Sequence, residues 1–248
     1  MKDATPRPEA TEDVPLYKDV KRRLTRALTC GEWKPGAVIP AERELAQRFG
    51  TSIGTVRKAV DELAAENILI RQQGRGTFVA RHTRERELFY FLHVVPQRGA
   101  KRYPDVELLS FARGKADRAA AQALGIAQGE PVFRIRNVLR LDDAPVIVDD
   151  IALPSARFPG LTHAGVRDRA STIYNLYQDA FGVSVVRTRE RVRAALADDA
   201  TARLLRVSVG APLLAIRRVA LTYDEAPVEY RVSLVNTARH EYWAEIGA

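Results

Sequence analysis

The sequence predicts an α+β fold in two domains, and three features carry that prediction. Apolar residues recur at helical spacing to roughly residue 65 and then switch to short strand-like runs. A pattern of one helix and two strands occurs twice in the C-terminal half, at an offset of about 81 residues. The length of 248 residues and a hydrophobic fraction of 46% suffice for two separate cores.

Met1–Asp13, with Pro6, Pro8 and mixed charge, is expected to be a disordered tail. Leu16, Tyr17, Val20, Leu24 and Leu28 then mark the apolar stripe of a first helix, and residues 31–36 read as a loop. Pro40 suits the opening position of a second helix, Leu45, Ala46 and Phe49 supply its apolar face, and Gly50 stops it. Ser52 or Thr51 caps a third helix, in which Val56, Val60 and Leu63 repeat at helical spacing. Beyond Asn67 the pattern changes: Ile68, Leu69 and Ile70 start a strand, Gly74-Arg75-Gly76 turns it, and Thr77-Phe78-Val79 runs back.

Three helices followed by a hairpin make a winged helix-turn-helix over residues 14–80. The outer side of the third helix carries Ser52, Gly54, Thr55, Arg57 and Lys58, small and basic residues that suit a DNA groove. Arg75 sits at the hairpin tip beside Gly76, where a cation can follow the backbone or minor groove. Residues 14–82 hold 13 Lys/Arg against 7 Asp/Glu, a net +6 out of +8 for the whole chain. That concentration favours a polyanion such as double-stranded DNA. The competing reading of these cations is ordinary solvated surface.

Three motifs in chain order make this region resemble the GntR family of bacterial transcriptional regulators. They are Pro40-Ala41-Glu42-Arg43-Glu44-Leu45-Ala46, Thr55-Val56-Arg57-Lys58-Ala59-Val60 and Gly74-Arg75-Gly76-Thr77-Phe78-Val79. The resemblance implies that Arg43, Thr55, Arg57 and Gly76 hold operator DNA. Ile53 stands where many relatives carry arginine, which implies a half-site different from the usual one.

Residues 81–90 are charge-rich and read as a linker to a second domain over 91–248. There Ala121, Leu124, Ile126, Gly129 and Pro131 are matched by Ala202, Leu205, Val207, Gly210 and Pro212, and both copies end on Ala-Pro-Val, at 144–146 and 226–228. Two helix-plus-hairpin units are expected to join into one antiparallel sheet with helices on one side. Alternation places Phe133, Ile135, Leu139 and Leu141 toward those helices and Val132, Arg134, Arg136, Val138 and Arg140 away from them. It likewise sets Val228, Tyr230, Val232 and Leu234 against Glu229, Arg231 and Ser233, the charged members being either solvated or lining a pocket.

This half is similar to the UTRA effector domain of the HutC branch, with a chorismate-lyase-like α+β fold. The resemblance rests on the Leu-Gly-Ile to Gly-Glu-Pro run at 124–131, Ala144-Pro145-Val146 followed by Asp149, Ser171-Thr172-Ile173-Tyr174, Glu190, and Pro227-Val228-Glu229. It implies an effector site drawn from Arg134 or Arg136, Asp149, Ser171 or Thr172, Tyr174 and Glu229. Asn137 and Leu139 occupy the positions of two arginines found in phosphosugar-binding relatives, which argues against a phosphosugar. Arginines and carboxylates together favour a small polar effector with an anionic group, an organic acid or an amino-acid-like molecule.

Cys30 is the single cysteine, so no intramolecular disulfide or cysteine-based metal cluster is expected, and no cofactor is implied. With no signal peptide and no apolar run of about 18 residues, the expected location is the cytoplasm, away from membranes. The sequence therefore reads as a homodimeric, ligand-responsive repressor on a palindromic operator. Two other readings of the second domain stand beside it: a lyase-like enzyme and a dimerisation module without ligand. Against the enzyme, His82, His93, His163 and His240 are widely separated and no nucleophile motif occurs.

Overall fold

A computed structural model describes residues 15–244; the expected tail at 1–13 lies outside the described residues. The chain divides into two compact units between Ala80 and Arg81.

The first unit contains α1 (Leu16–Thr29), α2 (Glu42–Phe49), α3 (Ile53–Ala65) and the hairpin β1 (Leu69–Gln72) and β2 (Gly76–Val79). Val20, Leu24 and Leu28 of α1 are buried, as are Leu45 of α2 and Val56, Val60 and Leu63 of α3. Leu16, expected on the apolar stripe, is 71% exposed. Pro40 does not open α2, because the helix starts at Glu42. The Ala41 N–H donates to the Glu44 carboxylate at 3.2 Å, which satisfies an end group at that point and sets the start there. Of the two candidate caps for α3, Ser52 is used: its hydroxyl accepts from the Thr55 N–H at 3.1 Å.

The second unit opens with α4 (Arg84–Tyr90) and β3 (Val94–Pro96). Residues 81–90 are thus not a free linker: Thr83 caps α4 by accepting from the Arg86 N–H, and His82, Arg86 and Glu87 are buried. Next come β4 (Asp105–Lys115), α5 (Arg118–Leu124), β5 (Pro131–Leu141) and β6 (Ala144–Pro154). Then follow α6 (His163–Arg167), α7 (Ile173–Phe181), β7 (Arg187–Leu196), α8 (Asp199–Leu205), β8 (Pro212–Leu221), β9 (Pro227–Val235) and β10 (His240–Tyr242).

The duplication is larger than the helix-plus-hairpin pattern, because each copy also brings a leading strand. β4-α5-β5-β6 is followed by β7-α8-β8-β9, and the six strands form one antiparallel sheet in the order β4-β5-β6-β9-β8-β7. That order is symmetric about the β6–β9 pair. Each helix packs on the last strand of the other copy, α5 on β9 and α8 on β6.

Both faces of the sheet are covered, not one. Val132 and Ala152 pack with α5, and Val138 and Val148 pack with α8. Phe133, Ile135 and Ile151 pack on the opposite face with Phe158, Tyr174 and Tyr177, the last two from α7. The valines at 132 and 138 are therefore core residues on the face expected to lie away from helices.

Candidate functional site

In the first unit the hydrogen bonds of the residues singled out for DNA are mostly local. Ser52 is committed to its cap and lies 2.8 Å from the Thr55 hydroxyl. Arg57 of α3 donates through Nε to Glu42 of α2 at 2.8 Å, and the other Glu42 oxygen takes Arg71 at 2.9 Å. Such exposed pairs contribute at most about 1 kcal/mol, so a phosphate can replace Glu42 without large cost. The Lys58 ammonium sits 4.0 Å above the Tyr17 ring. Arg43 is exposed at the start of α2, and the Arg75 guanidinium lies 5.9 Å from the Phe78 ring at the hairpin tip. Gly76 has φ of 110°, which favours glycine, and a Cβ there would make a tight contact with Val38 Cγ2 at 3.2 Å.

In the second unit the α7 face of the sheet carries a buried charge cluster. Arg231 donates through Nε and one terminal nitrogen to the two Glu229 oxygens, both at 3.0 Å, and through the other terminal nitrogen to Asp149 at 3.1 Å. Tyr174 and Tyr177 donate to Glu229 at 3.1 and 2.8 Å, and the Ser233 hydroxyl donates to Asp149 at 2.5 Å. Burial opposes the charge on Arg231, yet Glu229 and Asp149 overcome it and raise its pKa well above the ordinary arginine value. Burial, followed by the Glu229 charge, also raises the Tyr174 and Tyr177 phenols, which stay protonated as donors.

Beside it lies a second cluster. Arg218 donates to Glu190 at 2.5 Å and to the Phe91 carbonyl, while Tyr242 donates to the second Glu190 oxygen at 2.5 Å. Burial pushes the Glu190 carboxyl up, but the His93 hydrogen bond, the Arg218 charge and Tyr242 together bring it down to about 2.

Between the clusters is a cavity of about 40 Å³, whose lining includes Glu87, Tyr103, Asn137, Asp149, Arg169, Arg218 and Arg231. That volume holds a few water-sized groups. Three of its lining atoms are buried without a hydrogen-bond partner among the described residues: Glu87 Oε2, Asn137 Oδ1 and Arg169 Nε. Burial raises the Glu87 pKa, a Thr172 hydrogen bond and the Arg231 charge opposing it.

The structure thus brings together Asp149, Thr172, Tyr174 and Glu229 from the expected set, with Ser171 half-buried at the entry to α7. Arg134 and Arg136 do not join them. They point to the α5/α8 face, where Arg134 pairs with Asp117 at 2.8 Å and Arg136 makes a two-pronged pair with Asp150 at 2.7 and 2.8 Å. Glu229 and Arg231 are buried rather than solvated, at 0% and 8% exposure. Sequence reasoning also missed Glu87, Asn137, Arg169 and Arg218 as cavity residues. Asn137 and Arg218 were within its reach, because alternation places both on the same face as Ile135 and Ile216. Among the described residues no group of three or more His, Cys, Asp or Glu is placed to hold a metal ion, and no helix is long and apolar enough to cross a membrane.

A winged helix-turn-helix unit followed by a sheet domain with a cavity lined by charged side chains defines a transcriptional regulator governed by a small molecule. The chain belongs to the bacterial regulatory proteins of the gntR family and carries a UTRA domain, with residues 16–79 and 99–241 matching the two family models. It is 30% identical over 221 residues to the "Probable fructoselysine utilization operon transcriptional repressor" of Escherichia coli (strain K12), covering 86% of this chain and 87% of that one. It is 26% identical over 232 residues to the HTH-type transcriptional repressor NagR of Bacillus subtilis (strain 168), covering 92% and 93%. Among solved structures it is similar to the ligand-binding domain of a transcriptional regulator assigned to the GntR family from Bordetella bronchiseptica. That match has 33% identity and a TM-score of 0.61, covering 64% of this chain and 99% of that one. PhnF from Mycobacterium smegmatis is similar over 92% of this chain and 99% of its own, with 28% identity and a TM-score of 0.53.

Proposed function

We propose that this regulator is a cytoplasmic homodimeric repressor that binds a palindromic operator through Arg43, Thr55, Arg57, Lys58, Arg75 and Gly76, and releases it when a small polar effector enters the cavity beside Arg231. The observation that carries this reading is the cavity itself, where three buried polar atoms lack partners among the described residues beside two hydrogen-bonded charge clusters. Buried polar atoms are normally paired, so such a cluster is ready for a ligand that completes it. The organic-acid or amino-acid-like character of the effector rests on Arg169 in the lining, whose buried Nε has no acceptor among the described residues.

Helix α7 provides a route from the cavity to the start of the second unit. One side holds Glu229 through Tyr174 and Tyr177. The other grips the first residues after Ala80: Gln178 accepts from the His82 N–H at 2.9 Å, Asn175 donates to the His82 carbonyl at 3.1 Å, and Asp179 pairs with Arg81 at 2.9 Å. An effector that shifts Glu229 or Glu87 changes the footing of residues 81–82. A near-complete switch requires about 10⁴-fold unequal effector affinity for the two arrangements.

The test is a metabolite screen on the purified full-length chain, with a palindromic duplex selected from a random pool as the DNA probe. Saturable thermal stabilisation with release of the duplex and no turnover supports the reading. Turnover of a metabolite would make the second unit an enzyme. Stabilisation by no metabolite, with operator binding intact, would make it a dimerisation module.

A further inference from the structure

We propose that the effector is a zwitterion of the α-amino-acid type, with its ammonium held by Glu87 and Asn137 and its carboxylate by Arg169. This rests on the reading of the cavity as the effector site and assigns the chemistry of what fills it.

The argument is one of remaining hydrogen-bonding capacity. Both oxygens of Asp149 already accept, from Ser233 and Arg231, and both oxygens of Glu229 accept twice. Both oxygens of Glu190 are likewise engaged, by Arg218 and by Tyr242. Among the carboxylates lining the cavity, Glu87 therefore has the one oxygen, Oε2, without a partner in the described residues. The Asn137 carbonyl oxygen is a second unpartnered acceptor.

The cations divide in the same way. Arg231 spends three nitrogens on Glu229 and Asp149, and Arg218 is tied to Glu190 and the Phe91 carbonyl. Arg169 makes a backbone contact with the Val166 carbonyl at 2.5 Å and keeps a buried Nε without an acceptor. What remains is one acidic and one basic side chain in the same cavity wall, each with a buried polar atom that has no hydrogen-bond partner among the described residues.

A ligand with only an anionic group would satisfy Arg169 Nε and leave Glu87 Oε2 and Asn137 Oδ1 without a donor, and an amine would do the reverse. A molecule bearing both ends satisfies each, and buried charges are retained at acceptable cost only when paired in this way. The cavity of about 40 Å³ suits the compact head of an amino acid better than a bulky polar body.

The experiment measures binding of the standard L-amino acids to the full-length protein by thermal shift and calorimetry, each beside its des-amino acid and its decarboxylated amine. At least one amino acid should bind saturably, with both counterparts weaker by about 30-fold or more, the usual consequence of losing one partner of a buried charge pair. Glu87→Gln, which keeps the side chain's shape and whose folding is checked by its own thermal unfolding, should remove the advantage of the amino acid over its des-amino acid. Unchanged discrimination in that variant overturns the assignment of Glu87. A des-amino acid that binds and releases operator DNA as well as the amino acid overturns the zwitterion while leaving the sensor reading intact. Silence across all three compound sets overturns the zwitterion as well, and the wider metabolite screen then decides separately whether the cavity is a sensor.

Discussion

In the first copy of the duplicated unit Asp117 caps α5 by accepting from the Ala120 N–H at 2.8 Å; in the second, Asp198 caps α8 by accepting from the Thr201 N–H at 2.7 Å. The aliphatic positions correspond as closely, and each helix buries itself on the other copy's last strand. The inner face of the sheet departs from that likeness. Asn137 of β5 corresponds to Arg218 of β8, and Asp149 of β6 corresponds to Arg231 of β9; each is the cross-strand partner of the other within its copy. Across the edge pair, Asn137 faces Leu108 whereas Arg218 faces Glu190. Two identical copies would set like charges close to the symmetry axis in a buried place, which neither could sustain. Opposite charges at equivalent positions give the Asp149–Arg231 pair at 3.1 Å instead. Caps and core were held by the needs of folding, and the face that diverged is the one around the cavity.

The sharpest way to break this comparison is to remove the charge that the second copy contributes. Arg231→Leu strands Glu229 and Asp149 in the core and should destabilise the second unit by about 3–5 kcal/mol in denaturant unfolding. Asp149→Asn should cost less, about 1–2 kcal/mol, since Arg231 keeps Glu229 and Ser233 keeps an oxygen. If the two costs came out reversed, Arg231 would not be the hub of the cluster.

Making the copies alike at the edge pair is the next test. Arg218→Asn should cost about 2–3 kcal/mol at neutral pH by removing a buried cationic partner of Glu190. The pH dependence follows from the carboxyl being held at about 2 against an ordinary 4.5. A depressed acid stabilises the fold above its unfolded pKa, and that stabilisation, about 3 kcal/mol, disappears as the pH falls from about 5 toward 2. The gap between wild type and variant should therefore be widest at neutral pH and close in acid. His82, whose pKa is lowered to about 3 by burial and by the Arg86 charge, is acid-sensitive in both proteins and cancels in the difference. A gap that persists unchanged at low pH would mean that Arg218 acts through packing alone.

The comparison also explains what the sequence could and could not reveal. Caps, turn glycines and aliphatic spacing are local, so the helices, the hairpin and the near-repeat were legible, as was the second copy of Ala-Pro-Val. The leading strands β4 and β7 were not, because Asp105–Lys115 and Arg187–Leu196 alternate weakly and carry arginines on their exposed side. The site was half legible. Asp149, Tyr174 and Glu229 came through family resemblance, whereas Arg134 and Arg136 were misplaced because an arginine in a strand says nothing about which covered face it meets. Glu87 and Arg169 come from outside both copies, on α4 and in the segment before α7. Only the folded chain brings them to the cavity.

A third prediction separates the two units. Arg57→Ala should weaken operator binding by about 1–3 kcal/mol at matched salt and leave effector affinity unchanged. Equal operator affinity would return Arg57 to its role as the exposed partner of Glu42. A change in effector affinity would contradict the view that ligand recognition is confined to the second unit.

The smallest effect tests the likeness of the copies rather than their difference. α5 ends on Gly125 at φ 65°, a left-handed residue that closes the helix; α8 ends in the same conformation on Arg206, at φ 55°. A side chain pays for that conformation where glycine does not, although glycine also loses more chain entropy on folding. Arg206→Gly should accordingly stabilise the second unit by about 0.5–1 kcal/mol, and Gly125→Arg should destabilise it by a similar amount, both read as shifts in the denaturant midpoint. Nothing lies within 4 Å of a Cβ added at Gly125, so the cost there is conformational and not steric. Effects of the same sign in the two variants would show that the two helix ends are not equivalent, and the scaffold half of the comparison would fail.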